Sequence, residues 1–196
     1  MEESYRQLKL EVEKCRKCDL WRESKHHILG EGPLNSKIML VGLGPGYHEN
    51  IEGRPFVGAA GKLLNNLLTL AGLERGEVYI TNVIKCYLPD NKAADEQVKT
   101  CGQYLDRQID LLKPKVVIAL GSVATKYLFE KHGLQYTSMD KLHGRILKVE
   151  SLTCNRFIVA MYHPASALYN PSMKEVLEKD WKKLGEALLK ILTESF

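Results

Sequence analysis

Four cysteines, a glycine-rich turn and two polar side chains, Asn82 and His163, carry the chemistry legible in this chain. Cys15 and Cys18 are separated by two residues, the gap that lets two thiolates reach one metal ion. Cys86 and Cys101 add two more thiols, so a four-cysteine site for zinc or a 4Fe-4S cluster is one reading, and spacing does not choose between them. Cys101 also falls on the apolar stripe of a helix, where a plain buried thiol is the alternative. Cys154 stands alone, in a turn, and reads as an ordinary thiol. Elsewhere, Gly42–Gly46, Asn82 and His163 each follow or end a segment that reads as a strand. An amide offers a donor and an acceptor together, and an imidazole can donate to a developing negative charge.

These groups need a frame to bring them together. Residues 37–44, 78–86 and 115–120 are short apolar or β-branched runs, and RFIVAMYHP supplies another strand with its exit loop. Leucines at helical spacing mark 60–71, an apolar stripe marks 94–112, and Gly121-Ser122 opens a helix through Phe129. A charged helix over 4–15 starts the chain, a hairpin is expected with strands near 145–150 and 156–161, and an amphipathic helix closes the sequence. Strands alternating with helices predict a three-layer α/β/α sandwich around a central, mainly parallel four-stranded sheet. No linker, repeat or low-complexity tract interrupts residues 1–196, so one domain is expected. In such sheets ligands bind beyond the carboxyl ends of the strands, where the three polar signatures fall.

Composition narrows the class. The 196 residues are 44% hydrophobic and 27% charged, which excludes disordered, collagen-like and coiled-coil chains. No run approaches a membrane-spanning length, and the charged start carries no leader pattern, so a cytoplasmic protein is expected. The formal charge of +4 permits a polyanionic partner without requiring one. A dinucleotide-binding reading fails, because Gly42-x-Gly44-x-Gly46 lacks the G-x-G-x-x-G spacing and no phosphate-loop motif is present.

Taken together, Gly42-Leu43-Gly44-Pro45-Gly46, Glu49-Asn50, Gly53-Arg54-Pro55-Phe56-Val57-Gly58, Ile80-Thr81-Asn82-Val83, Lys85-Cys86, Leu120-Gly121 and His163-Pro164-Ala165 with Leu168 resemble the uracil-DNA glycosylase superfamily. The closest pattern is the iron–sulfur family 4, over about residues 10–190. The resemblance implies a monofunctional glycosylase that removes uracil from single- or double-stranded DNA in base excision repair and leaves an abasic site. It implies Cys15, Cys18, Cys86 and Cys101 as ligands of a 4Fe-4S cluster. Phe56 would stack on the extruded uracil and Asn82 would bind its pairing edge. Backbone around Gly42, Leu43 and Gly44 would hold the same base. His163 would stabilise charge at O2, Glu49 would position water, and Leu168 would enter the duplex.

Arg54, Lys62, Lys141 and Arg145 are the candidate phosphate contacts. A monomer is expected; a sliding clamp or another repair protein is a partner class that repair admits, although no terminal clamp-binding motif is present. Two departures from family 4 stand out: Leu43 replaces a glutamate, as in family 5, and residues 88–94 lack the usual proline and arginine pattern. Leu43 motivates the alternative of a weak or inactive DNA-binding relative.

Overall fold

The computed structural model describes residues 1–151 and 154–193. Its centre is a five-stranded sheet in the order β2-β1-β3-β5-β4, built from β1 (Ile38–Gly42), β2 (Tyr79–Asn82), β3 (Val116–Leu120), β4 (Arg145–Ser151) and β5 (Cys154–Met161). β2, β1, β3 and β5 run parallel, and β4 pairs antiparallel with β5. The four-stranded expectation is thus met by the parallel set, and the expected hairpin adds β4 as a fifth, edge strand. Leu152 and Thr153 lie outside the described residues. Cys154 opens β5 rather than lying in the turn.

Helices cover both faces: α1 (Glu2–Glu13), α2 (Tyr47–Glu52), α3 (Ala59–Leu70), α4 (Asp95–Leu112), α5 (Ser122–Lys131), α6 (Met139–Leu142), α7 (Ser166–Tyr169) and α8 (Met173–Thr193). Alternation along the strands explains the two cores. Ile38, Leu40, Ile118 and Val159 face Leu64, Leu68, Trp181 and Leu188 of α3 and α8. Met39, Val41, Val117 and Ile158 face Leu105, Ile109, Leu128 and Phe129 of α4 and α5. Both faces being covered, the central strands are apolar throughout.

β2 ends at Asn82, four residues before the expected strand limit. Val83, Ile84 and Leu88 are buried nonetheless, because their amides bond to the carbonyls of Gly42, Leu43 and Pro45 at 3.0, 2.8 and 2.9 Å. The exits of β1 and β2 therefore travel together, and this pairing brings Asn82 beside the glycine-rich turn. Among the described residues no helix is long and apolar enough to cross a membrane.

Candidate active site

A cavity of about 450 Å³ opens at the carboxyl ends of the parallel strands. Its wall takes Leu43 and Gly44 from the β1 exit, Glu49 from α2, Phe56 from the following turn, Asn82 from β2, and His163 and Leu168 from the β5 exit and α7. Gly42 lies beneath this floor: a Cβ there would stand 2.4 Å from Asn82 Oδ1 and 2.6 Å from Phe56 Cζ. Only a glycine lets the amide and the ring close over the end of β1.

Phe56 adopts a left-handed backbone, φ 51°, an unusual state for a bulky residue. Two clamps hold it. Arg75 donates from Nη1 to the Phe56 carbonyl at 3.1 Å and from Nη2 to the Pro55 carbonyl at 2.6 Å. On the other side, Glu49 Oε1 accepts the amides of Val57 and Gly58 at 2.8 and 2.9 Å. Gly61 completes the seat, since a Cβ would meet the Phe56 carbonyl oxygen at 1.9 Å. The ring is thereby stacked near His163, with centroids 5.6 Å apart and planes 28° from parallel.

Glu49 is the third residue of α2, and its Oε2 also accepts the Gly46 amide at 3.1 Å, tying the first turn of the helix to its cap residue. One carboxylate thus joins the glycine-rich turn to the Phe56 turn. It has about four lone-pair sites and spends three on these amides.

Asn82 is only 2% exposed, yet its side-chain amide has no hydrogen-bond partner among the described residues. The amide lines the open cavity, where a bound group can take up its donor and its acceptor. Its backbone carbonyl is fixed from below by Lys85 Nζ at 2.6 Å. Lys85 is itself buried and also donates to Thr81 Oγ1 at 2.8 Å and Gln108 Oε1 at 2.5 Å. Burial brings its ammonium down to about 7.

His163 follows β5 and packs against Gly121, whose φ of 89° and lack of a Cβ leave room for the ring. Its Nδ1 accepts the Ala165 amide at 3.1 Å. Burial pushes the imidazole down to about 4, with Glu49 pulling weakly the other way. The neutral ring therefore carries its proton on Nε2.

The other expected contacts lie outside the cavity wall. Arg54 makes a bidentate pair with Glu31 at 2.8 Å, and this pair, with Arg75 close by, holds the Glu31 carboxyl below its usual range. Lys62, on the first turn of α3, Lys141, on α6, and Arg145, at the start of β4, are exposed.

The expected metal centre requires correction. Cys15, Cys18, Cys86 and Cys101 do line one small cavity, of about 10 Å³, where α1 packs beside α4. Among the described residues, however, no group of three or more His, Cys, Asp or Glu side chains is arranged to hold a metal ion, so neither the iron–sulfur nor the zinc reading stands. Cys86 and Cys101 instead join Leu8, Val12, Ile84 and Leu88 in an apolar cluster, Cys15 packs half-buried against it, and Cys18 is half-buried beside them. Burial pushes Cys86 up to about 12 and raises Cys18 and Cys101, and the Cys101 sulfur accepts the Lys85 amide at 3.2 Å. A cofactor is thus an expectation of the resemblance, while the geometry here is that of two buried and two half-buried free thiols.

Sequence reasoning missed Arg75, for which no motif existed, and the seating role of Glu49, which a glycine at the cap position concealed. The Uracil DNA glycosylase superfamily profile matches residues 29–185. The type-4 uracil-DNA glycosylase of Sulfurisphaera tokodaii is 44% identical, covering 94% of this chain and 84% of its own. Those of Archaeoglobus fulgidus and Saccharolobus solfataricus are 42% and 43% identical, covering 90% and 91% of this chain and 89% and 83% of theirs. The chain belongs to the uracil-DNA glycosylase superfamily, on the type-4 side of it.

Proposed function

We propose that this protein is a monofunctional uracil-DNA glycosylase acting in base excision repair. The observation that carries the reading is the buried, unpartnered Asn82 amide facing the same cavity as the neutral His163 ring. Uracil offers that amide an O4 acceptor and an N3–H donor, whereas cytosine reverses the pattern. Phe56 stacks on the base, and the backbone of Gly42, Leu43 and Gly44 lies along its edge.

Water is the nucleophile. The C1′–N1 bond breaks with its electron pair going to the base, while the sugar gains positive character. His163 donates from Nε2 to O2 and stabilises the departing anion, a role suited to a neutral imidazole. Water adds to C1′ and loses a proton to solvent or to the base, leaving an abasic site. Glu49 holds the two turns and has one lone-pair site left to orient that water.

Extruding the base costs a few kcal/mol, which strand contacts offset. Leu168, 48% exposed at the cavity mouth, is the wedge. Lys62, Lys141 and Arg145 are free to meet phosphates, and Arg54 would have to leave Glu31 to do so. The chain acts as one domain and as a monomer.

A second reading, DNA binding without catalysis, is favoured by the three amides already engaging Glu49. Uracil release from a single-stranded oligonucleotide separates the two. Turnover supports the glycosylase; tight binding with no released base supports the silent relative.

A further inference from the structure

Tyr47 and Tyr169 are the exposed large aromatic residues of the described chain, at 64% and 83%, and both line the mouth of this cavity. Exposed aromatic rings that cover no core and stand at a binding site need an occupant. The two rings stand on separate elements, α2 and α7. The bond from the Gly46 amide to Glu49 fixes the start of α2, and bonds from the Leu168 and Asn170 amides to the Ala165 and Ser166 carbonyls fix α7. Neither phenol has a hydrogen-bond partner among the described residues, and Tyr47 makes only an edge contact with His48. The backbone that carries each ring is thus held in place, and the ring faces are left open.

The charge around the mouth selects the occupant. The amino-terminal ends of α3 and α5 border the cavity through Gly58, Ala59, Ser122 and Val123, and neither has an acidic residue in its first turn. Glu49, the one carboxylate in the wall among the described residues, is taken up by backbone amides. Aromatic faces beside anion-favouring helix ends match a strand that alternates flat bases with phosphates. An apolar peptide or a lipid chain would leave those helix ends unanswered.

We propose that Tyr47 and Tyr169 are stacking platforms for the bases on either side of the extruded nucleotide, making the cavity rim a single-strand DNA surface. The proposal rests on the glycosylase reading for the identity of the nucleotide in the cavity. Neighbouring bases reach the rings when they are unpaired, so the rings favour single-stranded over duplex DNA. This role is distinct from that of Leu168, which fills the space a base leaves.

The test is a double-mutant cycle read as dissociation constants. The probes are two single-stranded oligonucleotides containing cleavage-resistant 2′-fluoro-deoxyuridine. One carries normal flanking bases and the other has abasic spacers in their place. Tyr47→Leu and Tyr169→Leu should each weaken binding to the first probe by about 5- to 100-fold. Both should leave binding to the spacer probe within about twofold and should leave the salt dependence unchanged, because no phosphate contact is lost. Tyr→Phe at either site should bind like wild type. Equal loss on both probes, or no loss on either, overturns the proposal. Uracil release is assayed in parallel on ordinary deoxyuridine DNA. Its absence alongside intact coupling would sink the glycosylase reading and keep the stacking rim.

Discussion

The Ala165 amide donates to Nδ1 of His163 at 3.1 Å, and that single bond places the imidazole proton on Nε2. With burial pushing the ring down to about 4, His163 is a neutral donor throughout the physiological range. The rate of uracil release should therefore show no step near 6.5, and any limb due to this ring should lie near pH 4. A pH–rate profile of wild type and His163→Asn checks this. A fall above pH 6–7 that vanishes in the variant would mean a charged, acid form is at work.

Glu49 ties the Gly46, Val57 and Gly58 amides to one carboxylate, so it supports the site before it touches any water. Glu49→Gln swaps an acceptor oxygen for an amide that cannot accept all three bonds. Thermal unfolding should show a loss of about 1–3 kcal/mol together with a drop in turnover. Unchanged stability with lost activity would point to a purely chemical role.

Gly42 lies under both Asn82 and Phe56. Gly42→Ala should leave the sheet folded, because β1 is an ordinary extended strand there, but the new methyl must displace the Asn82 amide or the Phe56 ring. Uracil release should fall by about 100-fold or more, in line with the cost of misplacing reacting groups by an ångström. Near-normal release would show that neither group is held where the structure has it.

Lys85 makes a pH signature of its own. Its folded value is lowered to about 7 from 10.5, so between those limits the unfolded chain binds the extra proton. Stability contributed at this site should rise with pH from 7 to 10.5 and be flat below 7. Raised cysteine values act in the opposite direction above pH 9, so the quantity to follow is the difference between wild type and Lys85→Met in chemical denaturation. A difference that does not grow over this window would show that the ammonium is not desolvated.

Periodicity made most of this architecture legible. The apolar runs at β1 and β3 and the leucine stripe of α3 fold as read, because both sheet faces are covered and propensity agrees with burial. Val83 and Ile84 misled, since β-branched residues also suit a buried loop that pairs with a neighbouring turn. α2 was hidden because Gly46 occupies its cap, where the signal looks for a side-chain oxygen. The cysteines show the reverse problem. Ligand spacing and ordinary packing look alike in one dimension, and only the fold shows Cys86 and Cys101 buried with Leu8 and Ile84. Arg75 acts through carbonyls of residues 19 and 20 positions away, which leaves no local trace.

The most direct measurement is release of free uracil from a uracil-containing oligonucleotide by wild type, Asn82→Ala and His163→Ala. Wild type should release uracil and leave an abasic site, and each variant should lose about 100-fold or more of that rate while still binding the DNA. A wild-type protein that binds the same strand and releases nothing, or variants that turn over as fast as wild type, would contradict the account.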